Sequence, residues 1–78
     1  NICRKNLFHL NNGDITNVNG YRIEISAVDN NEALININGE TRSINEGETV
    51  RFGGIQLYLN RAVITTEGVG EITLTTCN

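Results

Sequence analysis

The sequence GDITNVNGYRIEI at residues 13–25 decides the fold, because the chain repeats its pattern as GETVRFGGIQLYL at residues 47–59. Each copy reads glycine, acid, short strand, glycine turn and alternating strand. Gly13 and Gly20 match Gly47 and Gly54 at a constant offset of 34 residues, without a gap. The repeat predicts a strand-turn-strand unit that is used twice, at residues 10–40 and 44–76 of a single β-domain spanning residues 1–78.

Asparagine and glycine mark the turns, and the chain contains no proline. Asn12-Gly13, Asn19-Gly20 and Asn38-Gly39 are typical of tight hairpin turns, because both residue types tolerate the positive φ that such turns require. Residues 21–28 and 33–37 alternate apolar and polar side chains, which predicts a hairpin of two half-buried strands. The alternation that starts at Ile55 loses its phase at residues 62–64, which predicts a β-bulge or bend.

The whole chain is predicted to be all-β. No segment has the apolar spacing of a helix, and the abundance of Asn, Thr and Gly disfavours one. About seven or eight short antiparallel strands fit a small β-sandwich or a partly closed barrel. The side chains expected to face the core are Ile15, Val18, Tyr21, Ile23, Ile25, Ile35, Ile37, Val50, Phe52, Ile55, Leu57, Leu59, Ile72 and Leu74.

The two cysteines, Cys3 and Cys77, lie near the two ends of the chain. A domain this small buries only about 60% of its unfolded surface, so a covalent staple is expected. A bridge within the chain would contribute about 4–5 kcal/mol in the chain-entropy treatment. It would imply an oxidising compartment, and the first residue, Asn1, fits a processed secreted protein. Bridges between chains and free thiols in a cytosolic fragment are the alternatives.

Charge and composition argue against nucleic-acid binding and against a membrane-spanning segment. Nine acidic residues outnumber six scattered basic ones, which leaves no basic footprint for a phosphate backbone. Two Phe and two Tyr are the only aromatic residues, too few to form a stacking platform. No stretch approaches the length of about 18 apolar residues that a membrane-spanning helix needs.

The sequence shows no expected arrangement of catalytic residues, and the chain is predicted to be neither an enzyme nor a cofactor-binding protein. The single histidine, His9, has no metal-ligand partner at a useful spacing, and neither Ser26 nor Ser43 sits in a glycine elbow. Asp14 and Glu48 could resemble the paired carboxylates of a glycosidase. Their equivalence under the repeat favours turn residues instead.

The turn Asp29-Asn30-Asn31-Glu32 is a weak candidate for a Ca²⁺ site. Asp29, Asn31 and Glu32 would supply oxygen ligands, the type that Ca²⁺ prefers. The competing interpretation is an Asn- and Asp-rich hairpin turn whose side chains bind its own backbone amides. We favour that interpretation, because the glycine-containing aspartate ladder of a Ca²⁺ loop is missing, so no metal is expected.

The chain resembles the small β-domains of archaeal surface-layer and other archaeal cell-surface proteins over residues 10–75. The segments that carry the likeness are LNNG at 10–13, VNGYRIEI at 18–25, VDNN at 28–31, INGE at 37–40, EGETV at 46–50 and GGI at 53–55. The resemblance implies a secreted, extracellular structural role at the cell surface without catalytic residues. A unit that stands alone and carries two cysteines suggests a subunit of a pilus-like filament or of a surface layer.

The strand edges suggest how such a subunit would assemble. With one lysine and no proline to guard its edges, the chain is expected to form homo-oligomers or polymers by strand addition. Strands at 33–38 and 71–76 are the predicted contact sites. The alternatives are a secreted glycan- or protein-binding module, with Tyr58 as the possible surface contact, and a small secreted inhibitor.

Overall fold

The computed structural model describes residues 5–77, which form eight β-strands in two four-stranded antiparallel sheets. The sheets pack face to face around one core, as a small β-sandwich and not as a closed barrel. This confirms the all-β prediction and selects the sandwich. The strands are β1 (Lys5–Asn11), β2 (Ile15–Val18), β3 (Tyr21–Asp29), β4 (Glu32–Ile37), β5 (Glu40–Asn45), β6 (Thr49–Phe52), β7 (Ile55–Ile64) and β8 (Gly70–Cys77).

The strand order places distant parts of the chain side by side. One sheet is a meander in the order β2-β3-β4-β5, and the other has the order β1-β8-β7-β6. The chain therefore crosses between the sheets twice, from β1 to β2 and from β5 to β6. β1 pairs with β8, so that Lys5 lies opposite Cys77 and Asn11 lies opposite Glu71.

The hydrogen bonds at the start of each copy repeat with the same 34-residue offset. The N–H of Gly13 donates to the carbonyl of Ile25 at 2.8 Å, and the N–H of Gly47 donates to the carbonyl of Leu59 at 2.8 Å. The two sheets therefore have equivalent strands, in which β1, β2 and β3 correspond to β5, β6 and β7, and β4 corresponds to β8.

Each long strand carries a β-bulge, and the two bulges are equivalent. The register shifts between Ile25 and Ala27 in β3 and between Leu59 and Arg61 in β7. The bulge of β7 therefore lies before residues 62–64, where the sequence predicted it, and its counterpart in β3 was not predicted. An extra residue changes which side chains face inward and increases the local twist.

The core is aliphatic and draws on both sheets. Its buried apolar residues are Val18, Ile23, Ile25, Ala33, Ile35, Ile37, Ile44, Ile55, Leu57, Leu59, Ala62, Ile72 and Leu74. Tyr21, Val50 and Phe52 pack against this cluster but are only partly buried. Ile15 was predicted to be in the core and is 50% exposed, because it lies on the short edge strand β2.

Candidate functional site

His9 and Ser43, two of the residues considered for catalysis, are engaged in side-chain contacts. His9 lies on β1 with its Nδ1 3.3 Å from the hydroxyl of Thr73. The Ser43 hydroxyl donates to Glu32 Oε2 at 2.6 Å. Among residues 5–77 there is no group of three or more His, Cys, Asp or Glu side chains that could hold a metal ion.

Asp14 and Glu48 perform the same task in equivalent turns. Asp14 Oδ2 accepts a hydrogen bond from the N–H of Asn11 at 2.8 Å, and Glu48 Oε1 accepts one from the N–H of Asn45 at 2.9 Å. In both turns the backbone N–H of the acid donates in return to the carbonyl of the same asparagine, at 2.9 Å. Each carboxylate thus stabilises the turn at which the chain crosses from one sheet to the other.

The turn at residues 29–32 directs its polar groups to three different places. Asp29 Oδ1 accepts a bond from the next backbone N–H at 2.8 Å, and the Glu32 carboxylate accepts from Ser43 on β5. The N–H of Asn31 donates to the carbonyl of Ala62 on β7 at 2.9 Å. These contacts make the segment a hairpin turn that also joins the two sheets. The Ala62 carbonyl can accept from Asn31 because β6 pairs with β7 only as far as Tyr58.

The outer strands of the two sheets provide the most extended unpaired polar surface. β1 and β6 are the edges of one sheet, and β2 and β5 are the edges of the other. β1 and β5 have seven and six residues, whereas β2 and β6 have only four each. The strands at 33–38 and 71–76, predicted as edges, are the interior strands β4 and β8, so that prediction was wrong.

The register shows which backbone groups on the long edges face outward. The N–H of Asn12 donates to the carbonyl of Gly70 in continuation of the β1–β8 ladder. Because hydrogen-bonded and non-hydrogen-bonded pairs alternate along antiparallel strands, Leu7 and His9 direct their N–H and C=O groups away from β8. The same alternation directs those of Thr41 and Ser43 away from β4.

Side chains along β1 leave this edge accessible. Leu7 is 59% exposed, the most exposed of the large apolar side chains described. On β5, by contrast, Arg42 forms an ion pair with Glu40 at 3.0 Å and lies 4.9 Å from the centre of the Phe52 ring on β6. The two long edges thus share backbone geometry but differ in side-chain chemistry.

Two surface depressions beside the bulges are related by the repeat and have diverged. The one beside the β3–β4 hairpin has a volume of about 450 Å³ and is lined by Ala27, Val28, Asp29, Glu32, Ala33, Leu34 and Ile64. Its counterpart beside β7 and β8 has a volume of about 250 Å³ and is lined by His9, Leu10, Asn11, Arg61, Val63, Glu71, Ile72 and Thr73. One depression is therefore largely apolar and the other is polar.

Tyr58 and Cys77 are the remaining residues singled out by the sequence. Tyr58 is 38% exposed on β7 and lies between Thr49 and Thr75 on the neighbouring strands. Cys77 ends β8 and is half-buried, on the same face as Thr73 and Thr75 as predicted. Cys3 lies outside the described residues, so the pairing of the cysteines stays a prediction.

A scan of the chain against protein-family models gave no match, and searches among curated proteins and solved structures gave none either. Within the described part of the chain, no helix is long and apolar enough to cross a membrane.

Proposed function

We propose that this protein is a self-assembling structural subunit of a filament or surface layer, in which copies join through the free edges of β1 and β5. The single observation that carries the proposal is the pair of long edge strands, each with two residues whose backbone groups face outward. Such edges are templates for the addition of another strand.

The edges have little of the usual protection against strand addition. Natural monomers place proline, lysine or a covering segment on long edges. The chain has no proline, and its one lysine is at the start of β1. The exposed Leu7 side chain adds apolar area next to the free backbone groups of the same strand.

The strength of one edge contact decides the kind of assembly. Two outward-facing residues offer two N–H and two C=O groups, so an added strand gains about four hydrogen bonds, each contributing about 1 kcal/mol net. Association costs at least as much in lost translational and rotational freedom. A single contact is therefore weak, and a subunit with two such edges assembles when the local concentration is high.

Proline substitutions on the edges test the proposal. His9→Pro and Ser43→Pro each remove one outward N–H at equivalent positions of β1 and β5, a placement that an edge strand tolerates. Asn17→Pro is the matched control, because the β2–β3 register makes its N–H face outward on a four-residue edge. Sedimentation and electron microscopy over a range of concentrations would measure assembly, and thermal melting would confirm folding.

We expect the unmodified protein and Asn17→Pro to assemble as concentration rises, and His9→Pro or Ser43→Pro to stay monomeric. Should a proline variant fail to fold, Leu7→Lys and Thr41→Lys place a guarding charge at the same two edges. A protein that stays monomeric at every concentration, or edge variants that assemble as well as the control, would contradict the proposal.

The proposed setting is extracellular, with Cys3 and Cys77 bridged. Support comes from the resemblance to archaeal cell-surface domains and from the register that brings Cys77 beside the start of β1. Gel electrophoresis with and without reductant, together with mass spectrometry of linked peptides, distinguishes a bridge within one chain from bridges between chains. A bridge within one chain leaves assembly to the strand edges, whereas a ladder sensitive to reductant would make the cysteines the links between copies.

A binding module is the second candidate, and the exposed Tyr58 favours it. An aromatic ring flanked by Thr49 and Thr75 on an open sheet face could stack on a sugar ring or contact a partner protein. Tyr58→Ala would abolish binding to a glycan or protein ligand without changing assembly. Assembly that depends on Tyr58 would instead place this face in the subunit contact.

A further inference from the structure

The three Asn-Gly pairs share one chemistry in the sequence but differ in their surroundings. In this dipeptide the backbone nitrogen of glycine can attack the asparagine side-chain Cγ, because glycine has no Cβ to hinder it. The new C–N bond closes a succinimide ring as ammonia leaves. Water then opens the ring at either carbonyl and yields aspartate or isoaspartate. We propose that Asn19 is a site of this spontaneous modification in the folded protein, and that Asn12 and Asn38 are protected.

Asn38 is held by hydrogen bonds on both reacting groups. Its side-chain Oδ1 accepts from the N–H of Arg22 at 2.8 Å, and its own N–H donates to the carbonyl of Arg22 at 3.0 Å. The attacking nitrogen, that of Gly39, donates its proton to Asn36 Oδ1 at 2.9 Å. The reaction at Asn38 must break these contacts before nitrogen and carbon can meet.

Asn12 is held in a similar way by the backbone. Its N–H donates to the carbonyl of Gly70 at 2.9 Å, and the N–H of Gly13 donates to the carbonyl of Ile25 at 2.8 Å. The attacking nitrogen thus belongs to the repeated hydrogen bond that starts β2. Opening this turn would disturb both sheets, since Gly70 and Ile25 lie in different ones.

Asn19 lacks such restraints within residues 5–77. Neither its side chain nor the N–H of Gly20 forms a hydrogen bond there. The turn connects β3 to β2, a four-residue edge strand that pairs on one side only. Short edge hairpins open at low cost, and opening lets the chain leave the positive φ of 53° at Asn19 to form the ring.

The difference in restraint sets the expected rates. One typical hydrogen bond lowers the population of an opened turn about fivefold. Asn12 and Asn38 each have two or more bonds that Asn19 lacks, so Asn19 is expected to react about 25-fold faster or more. The product adds one negative charge to a protein of formal net charge −3.

Peptide mapping by mass spectrometry of the folded, full-length protein, after incubation in mildly alkaline buffer, tests the proposal. We expect deamidated and isoaspartyl peptide at Asn19 to accumulate well before any at Asn12 or Asn38. In denaturant the three sites should react at similar rates, because the protection comes from the fold. Equal rates in the folded protein, or faster reaction at Asn12 or Asn38, would overturn the proposal.

Two variants test the mechanism. Asn19→Gly keeps a residue that tolerates positive φ and should remove the early product completely. Asn36→Ala removes the acceptor that holds the N–H of Gly39, so it should accelerate reaction at Asn38 and leave Asn19 unchanged. An Asn38 rate that does not respond, in a variant shown by melting to be folded, would contradict protection by that bond.

Discussion

Thr76→Val is expected to stabilise the protein. Thr76 is fully buried in β8, and its hydroxyl has no hydrogen-bond partner within residues 5–77. It lies opposite Leu57, whereas the equivalent position of the other sheet pairs Ile37 with Ile23. The sequence thus places a hydroxyl group where its repeat has the wholly apolar Ile37. Valine has the same shape and needs no partner.

The magnitude follows from the lost hydration of the hydroxyl. Burying such a group without a partner costs about 1–3 kcal/mol, and the unfolded chain recovers that hydration. We therefore expect Thr76→Val to raise the free energy of unfolding by about 1–2 kcal/mol. For a domain of this size, each kcal/mol raises the melting temperature by about 4–8 °C.

Denaturant unfolding and thermal melting measure this effect, with Thr75→Val as the matched control. The Thr75 hydroxyl is only half-buried and donates to Asn60 Oδ1 at 2.7 Å, so its loss should cost about 0.5–1.5 kcal/mol. The two neighbouring substitutions are thus expected to have opposite signs. A Thr76→Val variant less stable than the unmodified protein would refute the assignment of an unsatisfied hydroxyl.

Three further substitutions test the packing. Ile25→Ala, at a fully buried position, should lower the free energy of unfolding by about 2–5 kcal/mol. Its control, Ile15→Ala on the exposed part of β2, should lower it by less than about 1 kcal/mol. Equal losses would contradict the assigned burial. Gly70→Ala should cost about 1–3 kcal/mol in thermal melting, because its Cβ would lie 2.6 Å from the Cβ of Val28, and an unchanged melting curve would show that the strands separate freely there.

Local patterns were sufficient to predict the strands but not their neighbours. The alternation at residues 21–28 and 33–37 correctly predicted the β3–β4 hairpin, because period-two burial and a tight turn are properties of nearby residues. The pairing of β1 with β8 joins residues from opposite ends of the chain. Nothing local encodes this pairing, which is why the interior strand β8 was mistaken for an edge. β4 was mistaken for an edge although the local Asn38-Gly39 turn places β5 beside it.

Bulges and edge strands account for the other differences between the predicted and the observed structure. Ser26 and Asn60 are the extra residues of the two bulges, and the small polar Ser26 leaves the alternation of β3 looking regular. Ile15 follows the apolar pattern of a core position, but β2 is too short and too far to the side to cover it. The candidate edges of the assembly site, for the same reason, became visible only once the sheets were arranged.

The pairing of β1 with β8 also bears on how such a chain could have arisen. β4 and β5 are joined by the Asn38-Gly39 turn, and the ends of β8 and β1 meet at the equivalent place, where Cys77 faces Lys5. If those ends were fused through a short turn and the chain were cut between β5 and β6, each sheet would become one uninterrupted four-stranded segment, β6-β7-β8-β1 and β2-β3-β4-β5. The architecture therefore matches a circular permutation of two consecutive sheets of the same topology, one stacked on the other.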